Sequence, residues 1–318
     1  MSPFPDRGWW AGLPPAAGAA VMATGILSVG LHLTGHEALS LAALVIAAAL
    51  WLVLAADFTA RLLGDRRRFR AEADTPAALT AVAATTVLGT RISLLGLQTT
   101  AAALLVLAAV LWPGLLLHVL RHWHRRMPGA GFLVCVATQG LAVLAATLAA
   151  AGGLAWLAQA ALALFLLGLL LYGAALLRFD LREVSSGAGD HWVAGGALSI
   201  SALAGSKLTA SSVWTGAAHT ALRTVTLILL ALSLVWYVVL LAAELRHPRH
   251  RYDIRRWSTV FPLGMTATAC LSVAEPAGIA WLFPLGEVLL WIAVGACVLT
   301  CVAMITSRRR LEHVNDRR

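Results

Sequence analysis

Long apolar runs separated by short polar gaps make up most of this chain. A membrane-spanning helix needs about 20 mostly apolar residues, and the runs have that length. The pattern predicts an all-α transmembrane protein with ten helices, at residues 14–33, 39–61, 77–97, 99–120, 130–150, 154–177, 191–210, 218–244, 257–275 and 281–306.

Arginines are concentrated in every second gap. Clusters follow the second, fourth, sixth, eighth and tenth spans, whereas gaps such as 32–40 and 276–280 contain no Lys or Arg. Lys and Arg stay on the cytoplasmic side during insertion. We therefore expect a multi-pass protein of the cell (inner) membrane with both termini cytoplasmic. Its parts are an N-terminal cytoplasmic segment (1–13), a transmembrane domain (14–306) and a basic cytoplasmic tail (307–318).

Odd- and even-numbered spans differ in composition. Odd spans are rich in Gly, Ser and Thr, as in AAVMATGILSVG (19–30), whereas even spans are Leu-rich with a Trp or Tyr near the middle. Bulky apolar residues suit lipid, and small or hydroxyl-bearing residues suit close helix packing or a wet lumen. The alternation predicts five helical hairpins, with the odd-numbered helices forming an inner ring around a central pore. Tight packing without a pore is the alternative.

The small and hydroxyl-bearing residues of the odd spans are the candidate pore-lining positions. A pore lined by such residues and by backbone would discriminate between anions mostly by size and dehydration. The candidates are Thr24, Gly25, Ser28, Thr86, Gly89, Thr138, Gly140, Ser199, Ser201, Gly264 and Thr266.

Three cations, Arg91, Lys207 and Arg223, fall inside apolar segments. A charge within the bilayer is costly and usually faces a cavity or a partner. All three are expected in the outer third of the membrane, where they could form an anion-attracting vestibule. The alternative is a network with Glu275 and Glu287 that clamps the helices together. Arg91 is the candidate vestibule residue, Arg223 favours the clamp, and Lys207 is close enough to the surface to snorkel.

Composition narrows the function classes. The chain has 60% apolar and 12% charged residues, and its net charge of +9 comes from arginines at span ends, which indicates topology and not nucleic-acid binding. The four cysteines have no metal-ligand spacing, so neither a metal nor a cofactor is expected. No DDxxD, HExxH or GxSG motif accompanied by a paired His is present, and we do not expect an enzyme.

Several segments resemble the family of the tellurite-resistance protein TehA, the yeast malic acid transport protein and the plant slow anion channel. They include VLGTRISLLG (87–96), GDHWVAGGALSISALAG (189–205) and RRWSTVFPLGMTATA (255–269). The stretches around Phe261-Pro262 and Asp190-His191-Trp192 are the more specific ones. The resemblance extends over nearly the whole chain in the family's order.

The resemblance implies ten helices in five hairpins around a central pore, assembled as a homotrimer in the lipid bilayer. It further implies that Phe261 blocks the pore, with Pro262 permitting a kink beside it. The substrate would be a small anion, either inorganic or an organic acid such as a dicarboxylate. Core packing of Phe261 is the alternative to a gate.

The sequence is also compatible with functions other than a gated anion channel. A proton-coupled transporter of dicarboxylic acids, or a tellurite-type oxyanion exporter, is the alternative to a gated anion channel. A carrier would need a titratable group in the pathway, and no Asp, Glu or His lies in the middle of an odd span. That distribution favours passive passage.

Overall fold

The computed structural model describes residues 17–64, 74–124, 126–187, 189–249 and 252–315. The predicted segment 1–13 and residues 316–318 of the predicted tail lie outside these residues. Within them the chain is helical and forms no strand, apart from an isolated bridge between Met127 and Phe179. The long helices are α1 (Gly18–Leu33), α2 (Glu37–Gly64), α3 (Thr80–Leu94), α4 (Gln98–Arg121), α5 (Leu133–Gly152), α6 (Ala155–Leu176), α7 (Val193–Thr209), α8 (Gly216–Arg246), α9 (Trp257–Ala274) and α10 (Leu282–Asn315).

Eight helices in the described part of the chain are long and apolar enough to cross a membrane. The prediction of an all-helical, multi-pass membrane protein is therefore confirmed. Two predicted spans are shorter, since α1 has 16 residues and α7 has 17. Four 3-10 turns lead into α3, α5, α7 and α9 and lengthen these helices at their starts, at Pro76–Leu79, Gly129–Phe132, Asp190–Trp192 and Ile254–Arg256. At the other end of the chain, α10 continues into the predicted tail.

The five odd-numbered helices form a closed ring. Each contacts the next, α1 with α3, α3 with α5, α5 with α7 and α7 with α9, and α9 returns to α1. These helices are buried along nearly their whole length. Their small residues allow this close approach. At Gly140, for example, a Cβ atom would overlap the side chain of Thr86.

The even-numbered helices lie outside this ring. Each packs against the odd helix that precedes it, as α2 does on α1 and α10 on α9. Only 17–33% of their most apolar windows is buried, against 72–100% for α3, α5 and α9. Leu-rich surfaces of this kind suit contact with lipid, because lipid does not penalise exposed apolar side chains. Two outer tryptophans also reach inward, Trp51 donating to Thr85 and Trp112 to Thr138, both at 2.9 Å.

The ring helices run in the same direction. Their starts lie together: Gly18 packs against Thr80, Gly129 against His191, and Gly189 against Arg255. We call this side of the ring its amino end. At the opposite side, the carboxyl end, Ser28 near the end of α1 bonds to Ser40 near the start of α2. Parallel alignment places five helix amino termini at one end.

Candidate functional site

A small cavity lies on the axis of the ring. All five inner helices contribute to its wall, which places it between them and not between a ring helix and an outer helix. Its volume is about 10 Å³, at the lower limit for one water molecule. The lining residues are Ile26, Val29, Thr86, Val87, Thr90, Gly140, Val143, Ile200, Leu203 and Met265.

The wall of this axial cavity is mostly aliphatic. Its two hydroxyl groups already donate to their own helix: Thr86 to the Ala83 carbonyl at 2.9 Å and Thr90 to the Thr86 carbonyl at 2.8 Å. Neither proton is therefore directed at a guest in the cavity. A narrow apolar constriction excludes water and thereby ions. The ring is closed to hydrated ions in this conformation.

Two of the eleven candidate pore-lining residues, Thr86 and Gly140, line the cavity. The other nine are not among its lining residues. On α1, Thr24 donates to the carbonyl of Ala20 at 2.8 Å, and Gly25 packs against Val87 and Ala47.

Ser28 belongs to a contact between α1 and α2. Its hydroxyl donates to the Ser40 carbonyl and the Ser40 hydroxyl donates to the Ser28 carbonyl, each at 2.7 Å. On the next two ring helices, Gly89 packs against Leu144 and Leu104, and Thr138 is the acceptor of the Trp112 indole. These residues join helices to one another.

The remaining candidates lie on α7 and α9. The Ser199 hydroxyl is 2.6 Å from that of Ser233 on α8 and 2.8 Å from that of Thr266 on α9. Ser201 approaches the Cys135 sulfur of α5 at 3.8 Å, and Gly264 packs against Ile26 of α1. Ser199 therefore links α7 to both α8 and α9.

The sequence reasoning missed the eight other lining residues. Seven of these are aliphatic, and the eighth, Thr90, lies one turn after Thr86. Ile26, Val87 and Ile200 are branched residues within segments rich in Gly, Ala, Ser and Thr, but each has a leucine beside it or two positions away, so the sequence did not distinguish them.

Phe261, the candidate gate, is 1% exposed and lies in the second turn of α9. It precedes Met265 by one turn, and residues four apart share a helix face; Met265 lines the cavity. Pro262 lies inside the helix, where it removes one backbone donor. A Cβ on Gly196 of α7 would come within 2.9 Å of the Pro262 ring. The start of α9 is thus tightly packed against α7, on the amino side of the cavity.

A comparison with known families gives a match over nearly the whole chain. The family described as SLAC1, voltage-dependent anion channel, matches residues 12–305. The protein belongs to this family. The resemblance inferred from the sequence motifs is confirmed, and the ring, the axial cavity and Phe261 all lie within the match. A search of curated proteins finds no match.

In this member of the SLAC1 family, the Arg91 side chain is buried at the carboxyl end of the ring and contacts α2. The side chain is fully buried, its Nη2 pairs with Glu37 Oε1 at 2.5 Å, and its Nε donates to Ser40 at 3.0 Å. Both partners belong to α2. Glu37 also accepts a contact from His32 Nδ1 at 2.6 Å. The carboxylate that contacts Arg91 is thus Glu37 and not Glu275 or Glu287, the acidic residues anticipated for a clamp.

The two other cations of the apolar segments also have partners. Arg223 donates through Nε and Nη2 to the carbonyl of Ala277, at 3.1 and 2.7 Å. This bond ties α8 to the connection after α9, so Arg223 clamps through a backbone oxygen and not through a carboxylate. Lys207 is half-buried and interacts with the charge of Glu275.

The amino end carries a more exposed set of charges. Arg249 pairs with Glu244 at 2.5 Å and donates to Thr259 at 3.1 Å. The pair between Arg255 and Asp253 holds the pKa of the Asp253 carboxyl below its ordinary value.

His191 is a buried titratable side chain of this amino end, with 3% of its surface exposed. Its Nδ1 is buried with no hydrogen-bond partner among the described residues. Within the described part of the chain, no group of three or more His, Cys, Asp or Glu could hold a metal ion.

Proposed function

We propose that this protein carries small anions across the cell membrane along the axis of its helix ring. In this proposal all ten helices span the bilayer as five hairpins, and α1, α3, α5, α7 and α9 form the wall of the pathway. One observation carries it: in a member of an anion channel family, the five ring helices meet around a common cavity to which each contributes side chains.

Electrostatics favour anions over cations in such a pathway. The aligned peptide dipoles of a helix place about half a positive charge at its amino terminus, and five termini lie at one end of the ring. The axial wall contains no charged side chain to oppose them. Arginines follow the even helices on the same side, which by the positive-inside rule is the cytoplasm. Both termini are then cytoplasmic.

Phe261 is the proposed gate. Its position one turn before Met265 places it beside the aliphatic closure, and Pro262 allows this part of α9 to bend. Withdrawal of the Phe261 side chain together with Met265 would widen the axis of the helix ring enough for water to enter. The open wall would then be formed by the aliphatic residues of the cavity together with Thr86, Thr90 and Gly140.

The apolar outer surfaces of the even helices contact the lipid bilayer and, in a homotrimer, neighbouring copies of the chain. The substrates proposed are inorganic anions or organic acids such as dicarboxylates. A pathway without a charged wall selects by dehydration and size, which favours weakly hydrated monovalent anions such as nitrate.

Reconstitution into liposomes tests this proposal. Under a potassium chloride gradient, the reversal potential should lie near the chloride equilibrium value and stay there between pH 6 and pH 8. Replacement of chloride by nitrate should shift the reversal potential in the direction that a higher permeability for nitrate than for chloride produces. A potential that follows potassium would refute anion selectivity, and one that follows the proton gradient would establish the proton-coupled alternative instead.

A further inference from the structure

The guanidinium of Arg91 has hydrogen-bonding capacity that the fold does not use. Nε donates to Ser40 and Nη2 to Glu37, while Nη1 is buried and has no hydrogen-bond partner among the described residues. A guanidinium has five N–H donors in a planar fork. An unpaired buried donor is unfavourable, so this site favours a further acceptor beside Nη1.

Arg91 lies next to the proposed pathway. Thr90 precedes it directly and Val87 lies one turn earlier, and both line the axial cavity. The backbone of Arg91 therefore lies beside the carboxyl end of the cavity, and its guanidinium extends from there to Ser40 and Glu37 of α2. Among the described residues, Arg91 is the one cation that is completely buried, with an exposed fraction of 0%.

The charge that balances Arg91 comes from outside the ring. Glu37 is the first residue of the outer helix α2, and its side chain is 45% exposed. A solvent-facing carboxylate thus reaches inward to a buried cation. Carboxylate and nitrate are both planar groups whose oxygens match the guanidinium fork, so a free anion can offer Arg91 the same contact.

We propose that Arg91 forms an anion-binding subsite that the Glu37 carboxylate occupies, and that a small anion displaces this carboxylate by binding to Nη1 and Nη2. The inference rests on the proposed function and adds to it the point at which the anion is held. The class of ligand is a small planar oxyanion, either nitrate or a short carboxylate.

His32 provides a place for the displaced carboxylate. Its Nδ1 is 2.6 Å from Oε2, the Glu37 oxygen that does not contact Arg91. Other ionisable groups on the surrounding elements have different contacts. His36 bonds to Thr34 and packs edge-on against Trp291 of α10, and Glu287 lies one turn before Trp291. The exchange therefore involves Glu37, His32 and the incoming anion.

Thermal unfolding of the full chain in detergent tests the subsite without requiring transport. Glu37→Gln removes the competing charge and keeps the shape of the side chain. Glu287→Gln, on the outer helix α10, is the matched control. A ligand that binds the folded state raises the unfolding temperature. Exchange of sodium gluconate for sodium nitrate at equal ionic strength should raise that temperature by several degrees more in Glu37→Gln than in the wild type or in Glu287→Gln. The added Arg91→Gln substitution should abolish this difference.

Equal responses of Glu37→Gln and Glu287→Gln would overturn the proposal, as would a nitrate response that survives Arg91→Gln. If Glu37→Gln does not fold, Glu37→Ala purified in sodium formate replaces it, because formate can take the position of the missing carboxylate. If neither Glu37→Gln nor Glu37→Ala folds in nitrate or in formate while Glu287→Gln folds, the contact between Arg91 and Glu37 is a structural clamp only and the proposal is wrong.

Flux measurements separate this inference from the proposed function. In liposomes, Glu37→Gln should reach half-maximal nitrate flux at a concentration several-fold lower than the wild type. Nitrate stabilisation without any anion flux in the wild type or in Phe261→Ala would sink the proposed function and leave the subsite. Flux in the wild type with no extra stabilisation in Glu37→Gln would sink the subsite alone.

Discussion

At the carboxyl end of the ring, a fully buried arginine is balanced by one carboxylate from a neighbouring helix. At the amino end, Arg255 and Asp253 form a pair on the same turn, and their side chains are 47% and 41% exposed. The contacts are similar in length, but the surroundings differ. Water can replace either partner of the exposed pair, whereas it reaches Arg91 poorly. We therefore expect loss of the counter-charge to matter more at the carboxyl end than at the amino end.

Matched carboxylate-to-amide substitutions at the two ends should give the largest difference. Glu37→Gln leaves the fully buried Arg91 cation without its counter-charge, which should lower the unfolding temperature clearly. Asp253→Asn breaks an exposed pair and should cost less than about 1 kcal/mol. Thermal unfolding in sodium gluconate, which supplies no small anion, measures both. Similar shifts for the two variants would show that burial does not distinguish the ends.

The smallest of these effects, in free energy, is expected at the candidate gate. Phe261→Ala shortens a side chain beside the closed axis and should raise anion flux in liposomes severalfold, equivalent to about 1 kcal/mol. Phe165→Ala is the control, since Phe165 is equally buried but lies on the outer helix α6. Unchanged flux in Phe261→Ala, or an equal rise in both variants, would remove Phe261 as the gate and favour core packing.

The two predictions made for Arg91 show where reading a sequence reaches its limit. The apolar surroundings of Arg91 indicated that it needs a cavity or a partner, and that expectation follows from desolvation alone. The partner, Glu37, is 54 positions away in the chain. Nothing in either local segment joins them, because the contact depends on how α3 packs beside α2.

The candidate wall of the pathway illustrates the same limit. Composition separated ring helices from outer helices because lipid accepts Leu-rich surfaces and close packing requires small residues. It could not show which face of a ring helix points to the axis. Such a helix is buried on all sides, so no polar stripe distinguishes one face from another. Thr138 and Ser199 therefore looked equivalent to Thr86, although they bond to other helices.

By itself, the sequence determined that this protein is a helical membrane protein of the SLAC1 family, with small-residue and Leu-rich helices in alternation. These properties depend on transfer of side chains into lipid, which is a local property of each segment. Only the tertiary structure decided that aliphatic side chains line the axial cavity, that Thr138 and Ser199 bond to outer helices, and that Glu37 contacts Arg91. Those features depend on the rotation of each helix against its neighbours, which is set by packing between residues far apart in the chain.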